Sequence, residues 1–167
     1  MRKLLSLTLA LALCLGLTAC SGGGNGGSGE GGDAFTADLS AFYDDMFSTV
    51  FPDPDNAPAM SQVTGDYLDQ LYPGLSEVET TQCLVYAPMI TAVAYEVALV
   101  EVADSADVAT VEEIFQARID SQIEGGAFYP ATVEAWQNNS EIVTRGNCVA
   151  LFVGAEKDDM VSAFNAL

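Results

Sequence analysis

The chain has 167 residues, 5 Lys and Arg against 24 Asp and Glu, a formal net charge of −19, no histidine and four cysteines. A polyanion of this density is repelled by phosphate backbones, which excludes nucleic-acid binding through a basic face. The lack of His removes the commonest general base, the Ser-His and Cys-His nucleophile pairs and most zinc sites. The sequence therefore predicts a protein that is not an enzyme, with no catalytic residue, no metal site and no cofactor.

At the N-terminus Arg2 and Lys3 precede sixteen uncharged residues, Leu4 to Ala19, mostly Leu and Ala. A basic start followed by a short apolar core is the layout of a secretory signal, and the run stops short of the ~20 apolar residues that span a bilayer. It ends in Leu17-Thr18-Ala19-Cys20, which resembles the lipobox of bacterial lipoproteins. The expectation is a signal peptide over 1–19, lipidation at Cys20 and a membrane anchor of two acyl chains, which hold stably where one binds only marginally. The protein would then sit on the extracytoplasmic face of the cell membrane. Cleavage there leaves Arg118, Arg145 and Lys157 against 24 acids, a net charge of −21. Repulsion from an anionic bilayer would favour an extended tether.

Ser21 to Asp33 reads SGGGNGGSGEGGD, with eight Gly in thirteen residues. Such a stretch buries no apolar surface and behaves as a coil with a reach of about 20 Å. Gly24-Asn25-Gly26-Gly27-Ser28-Gly29 matches G-x-G-x-x-G in form. No strand precedes it, so the match is a product of low complexity. Residues 20–33 are thus a lipidated Cys and tether, and residues 34–167 are one domain, without an internal repeat, large enough to bury about two-thirds of its unfolded surface.

Within that domain, Phe35, Leu39, Phe42, Tyr43, Met46 and Val50 recur at helical spacing and predict a helix from Thr36 to Val50. Pro52 and Pro54 break it. A short helical piece, Asp66 to Tyr72, ends at Pro73-Gly74. Thr81 to Pro88 and Glu96 to Ala103, rich in Val, Leu and Tyr, read as strands joined by a loop. Asp104 to Glu124 is an amphipathic helix capped by Asp104 or Ser105 and ended by Gly125-Gly126. Tyr129-Pro130 opens a shorter helix carrying Val133 and Trp136. Glu141 to Arg145 and Cys148 to Gly154 flank Gly146-Asn147, a two-residue hairpin signature. Lys157 to Ala166 makes a last helix. The economical fold is α+β, a four-stranded, mainly antiparallel sheet with helices packed on one face. The strand at Cys148 to Val153, apolar throughout, belongs inside the sheet.

Several short motifs, in this order, resemble a known family. They are Tyr86-x-Pro88-Met89, Glu96-Val97-Ala98, Ala117-Arg118-Ile119 with Gln122, Tyr129-Pro130, and Gly146-Asn147 before an apolar strand. The sequence resembles the small Firmicutes lipoproteins grouped as domain of unknown function 4358, from about Leu39 onward. The resemblance implies a lipid-anchored extracytoplasmic protein and supplies no catalytic or ligand residues. Cys83 and Cys148 depart from it, standing where Tyr, Val or another apolar residue is expected.

Cys14 leaves with the signal and Cys20 takes lipid, so Cys83 and Cys148 remain in a disulfide-permissive compartment. Two readings stay open: a disulfide, which needs Cα atoms within about 7 Å, or two buried thiols acting as small apolar fillers. Asp53, Asp55 and Asn56 offer oxygens, but the Gly and Glu of a calcium loop are missing and solvated acids are the better account. Carboxylate pairs that could hydrolyse glycosides carry no signal among 24 acids. Arg118 is either a carboxylate or phosphate ligand or an ion pair that fixes the long helix, the second being favoured. Trp136, Tyr86 and Tyr129 either pack in the core or line a binding surface. The functional expectation is a non-catalytic binding or adaptor module for an envelope or membrane protein partner. The alternatives are a ligand-capturing lipoprotein serving a transporter, for which the domain is small, and a carboxylate hydrolase.

Overall fold

The computed structural model describes residues 37–90 and 92–167. The apolar leader, Cys20 and the Gly-rich tether lie outside the described residues.

Helix α1, Leu39–Val50, starts where the Asp38 carboxylate accepts from the backbone N–H groups of Ser40 and Ala41 at 3.1 and 3.0 Å, filling two of the orphan donors of the first turn. Leu39, Phe42, Tyr43 and Met46, three or four residues apart, form its buried stripe. Strand β1, Met60–Gln62, and the short α2, Asp66–Leu71, follow. Strands β2, Thr80–Pro88, and β3, Glu96–Val102, are an antiparallel pair. Helix α3, Val108–Ser121, is entered through a tight turn in which Asp104 accepts from the N–H of Ala106 at 2.9 Å. It runs into a wide last turn that ends at Gly125-Gly126. Helix α4, Pro130–Asn138, has proline in its first turn, where the missing N–H costs nothing. Strands β4, Ser140–Arg145, and β5, Cys148–Val153, form a hairpin in which Arg145 and Cys148 pair across Gly146-Asn147. Gly146 has φ of 59°, the left-handed backbone such a turn needs. Helix α5, Lys157–Asn165, closes the order.

The sheet runs β1-β2-β3-β5-β4, antiparallel at each step. The α+β class and the antiparallel sheet are as the sequence predicts. Two features differ. A fifth strand, β1, lies at the edge beside Tyr86, Ala87 and Pro88; its three residues are too few to carry an alternation. Helices also cover both faces rather than one. All seven residues of β3 and all six of β5 are buried, so each face needs a cover. One side places Val85, Ala98, Val100, Val149 and Leu151 against Tyr72, Val111, Phe115 and Trp136, beneath α2, α3 and α4. The other places Val97, Leu99, Ala150 and Phe152 against Leu39, Phe42, Met160 and Phe164, beneath α1 and α5.

The second face is rich in ring contacts. Tyr43 stacks on Tyr86 with centroids 3.8 Å apart, and the Phe164 ring meets Phe42 and Phe152 edge-on at 5.7 and 6.0 Å. At its end Gly154 has φ of 149°, and a Cβ there would sit 2.5 Å from the Tyr95 ring, so only glycine lets Tyr95 close over the strand end.

Candidate functional site

Each face holds one buried glutamate of β3, because Glu96 and Glu101 are an odd number of residues apart and point to opposite sides. Glu101, 7% exposed, is held by neutral donors: Thr81 Oγ1 and Gln82 Nε2 donate to its Oε2 at 2.6 and 2.7 Å. Gln82 also ties down the start of α1, accepting from the N–H of Leu39 and donating to the carbonyl of Ala37.

Glu96, 2% exposed, is held by charge. The Arg118 fork donates through Nε to Oε1 at 2.9 Å and through Nη2 to Oε2 at 2.7 Å, and the Tyr72 hydroxyl donates to Oε1. Helix geometry makes this possible: Arg118 is seven residues after Val111 and three after Phe115, at the edge of the buried stripe of α3. Tyr72 ends α2 and meets Phe115 edge-on at 5.5 Å. The guanidinium lies between two rings, 5.8 Å from the centroid of Tyr72 and 5.3 Å from that of Trp136 on α4. Burial pushes the Tyr72 pKa well above its ordinary value, and the charge and hydrogen bond of Glu96 push it further. Burial opposes the Arg118 charge, yet the hydrogen bond and charge of Glu96 outweigh it and leave the Arg118 pKa raised.

Above the pair is a pocket of about 230 Å³ whose wall includes Tyr67, Ile90, Val93, Arg118, Gln122 and Trp136. Two of the three Arg118 nitrogens serve Glu96. The third, Nη1, has no hydrogen-bond partner among the described residues, and no buried polar side-chain atom there is left unsatisfied. Nη1 is therefore not fully buried, and Arg118 is among the residues that line the pocket. Of the side chains that line it, Tyr67, Ile90 and Val93 are 47, 64 and 42% exposed; Met89, next to Ile90 in sequence, and Phe128 and Tyr129, two and three residues after the lining Gly126, are exposed as well, at 78, 83 and 50%. The Thr132 hydroxyl, donating to the carbonyl of Ala92 at 3.3 Å, ties the start of α4 to the β2–β3 connection and joins these groups at one end of the domain. A larger hollow of about 740 Å³ lies between α1 and α5, but its floor of Phe42 and Met46 is already buried and its walls carry Asp38, Asp45 and Asp159.

The sequence singled out Arg118, and the structure places it in an ion pair that also lines a pocket. Trp136 joins it there, and Tyr129 belongs to the exposed rim, whereas Tyr86 packs on Tyr43 across the sheet. Cys83 and Cys148 are not brought together. Cys83 pairs with Val100 and Cys148 with Glu101, so β3 lies between them and their thiols point to opposite faces; both are free. Burial raises the pKa of each, that of Cys148 to about 11. Asp53 spends its carboxylate within its own loop, accepting from the backbone N–H of Asp55 and the side chain of Asn56. Glu96, Tyr72 and the exposed apolar residues other than Tyr129 were missed. The one available signal was an acid opening the strand Glu96–Val102, whose other residues apart from Glu101 are apolar.

Residues 53–154 match the family model described as Domain of unknown function (DUF4358). The chain belongs to the DUF4358 family. No curated protein and no solved structure matches it. In this DUF4358 member the matched stretch contains all five strands, α2, α3 and α4, and with them Glu96, Arg118, Tyr72 and Trp136; α1 and α5 lie outside it.

Proposed function

We propose that this protein is a lipid-anchored, extracytoplasmic binding module, non-catalytic, that engages an envelope or membrane protein through the pocket above Arg118. The observation that carries the binding half is the exposure of Tyr67, Ile90 and Val93 on the wall of a hollow that Arg118 also lines, with exposed Met89 and Phe128 close to that wall in sequence. Apolar groups of this size left in water at one end of a small domain mark an interaction surface. A non-catalytic role agrees with a carboxylate already engaged by Arg118 and Tyr72 and a phenol held far from ionisation. The anchoring half rests on Leu17-Thr18-Ala19-Cys20 after an apolar run, with a Gly-rich spacer beyond. Among the described residues no helix is long and apolar enough to cross a membrane. The negative charge would hold the domain away from an anionic bilayer, exposing the patch to partners.

Two experiments test the reading. Cys20→Ala should release the chain from membranes after alkaline wash, and retention would refute the anchor. A photo-crosslinking amino acid at Phe128 in cells should yield discrete protein adducts that disappear with Ile90→Ser; no adduct at all would refute the binding surface.

A further inference from the structure

We infer that the pocket above Arg118 receives one large apolar side chain from a partner polypeptide, in a segment whose neighbouring residues are Lys or Arg. This inference rests on the proposed binding role and names the class of partner.

Size comes first. At about 230 Å³ the hollow is smaller than the ~300–1,000 Å³ of sites for drug-sized ligands. It suits a single side chain, and the exposed apolar rim extends the contact beyond it, the arrangement of an interface anchor with a surround that excludes water. Local charge comes second. Glu96 already compensates Arg118, so the pocket floor is close to neutral and does not call for an anionic ligand. What it offers is the Nη1 donor, which a neutral acceptor such as a main-chain carbonyl beside the anchor can satisfy.

The surroundings decide the flanks. The elements that build the pocket carry exposed Asp66 and Asp69 on α2, Glu124 in the turn after α3 and Glu134 on α4. Their only basic residue is Arg118, which Glu96 neutralises. The other described cations are on different elements: Lys157 pairs with Glu141 and Asp158, and Arg145 donates to the carbonyls of Phe164 and Asn165. A pocket lined in part by exposed apolar side chains, on elements that carry these exposed acids and in a chain of net charge −19, complements a segment that presents an apolar anchor between cations and repels one flanked by acids.

Trp136 is the single tryptophan and lines the pocket, so its emission reads occupancy directly. The full chain, reconstituted in phosphatidylcholine vesicles, is titrated with three capped peptides: a central Phe flanked by Lys, a central Ser flanked by Lys, and a central Phe flanked by Glu. The first should shift Trp136 emission saturably, and the other two should bind at least about tenfold more weakly. Asp66→Lys with Asp69→Lys should move the preference toward the Glu-flanked peptide, and Ile90→Ser should weaken both Phe peptides. Equal response to Lys and Glu flanks, equal response to Phe and Ser, or no saturable shift would overturn the inference. So would quenching of Trp136 by acyl-brominated lipid, which would mean the patch faces the bilayer, or a peptide-free shift that grows with protein density, which would mean a second copy fills it. If the peptides fail while the Phe128 crosslinks form, the partner class is wrong and the binding role stands; if both fail, the role falls too.

Discussion

On the face covered by α1 and α5, the sheet meets stacked and edge-on rings and one carboxylate, Glu101, satisfied by neutral donors. On the face covered by α2, α3 and α4, it meets an ion pair beneath an open pocket. Both lie on the same two central strands and both exclude water from a glutamate of β3, yet they do so by different means. Rings and aliphatic side chains contribute roughly 1.5–3 kcal/mol each on full burial and leave nothing to bind with. An ion pair taken out of water contributes little net stability, and a well-packed apolar replacement often does as well or better. The difference is what the proposed binding role accounts for: on that reading the α2–α3–α4 face is organised around contact with a partner rather than around stability.

The sharpest way to break the comparison is to remove one charge. Arg118→Met leaves Glu96 buried and uncompensated and should lower unfolding stability in urea by about 3–5 kcal/mol. Glu101→Gln on the other face removes a charge but strands no cation and should cost only about 1 kcal/mol. A similar loss in the two variants would mean that the faces do not differ as described. Between these in size falls Gly154→Ala, which forces Tyr95 off the strand end and should cost about 1–3 kcal/mol by thermal unfolding.

The thiols sharpen the contrast further, since one lies on each face. Under native conditions an alkylating reagent should leave buried Cys148 unmodified, and denaturation without reductant should expose both Cys83 and Cys148, as mass spectrometry reads directly. Burial raises the folded-state pKa of Cys148 from 9.0 to about 11. The unfolded chain therefore releases that proton first as pH rises. The stability associated with the neutral thiol is full below pH 9 and is lost progressively toward pH 11. Cys148→Ala should flatten that part of the stability profile.

Much of this fold can be read from residue order. The stripe of α1, the α3 stripe ended by Gly125-Gly126 and the β4–β5 hairpin about Gly146-Asn147 all follow from period and turn chemistry, which are local properties. The expectations that changed depend on what lies across the sheet. β1 exists only because β2 offers it an edge, and the second helical layer exists because β3 and β5 are apolar on both sides. That apolar continuity was visible in Cys148 to Val153 and already called for cover on both faces of that strand, which helices on one face of the sheet cannot supply. Arg118 stood out because cations are so few. Its partner Glu96 could not be picked from 24 acids, and the exposure of Ile90 and Phe128 is set by packing among elements distant in sequence.

The central claim is that the Glu96–Arg118 pair serves the pocket rather than the core. The triple variant Tyr72→Phe, Glu96→Leu, Arg118→Met tests it, the first change sparing the buried Tyr72 hydroxyl from losing its acceptor. Urea unfolding and the Trp136 response to the Lys-flanked Phe peptide are measured on the same preparation. The predicted result is stability within about 1 kcal/mol of the parent, recovering the loss caused by Arg118→Met alone, with peptide binding at least about tenfold weaker. Undiminished binding in a folded triple variant would contradict it.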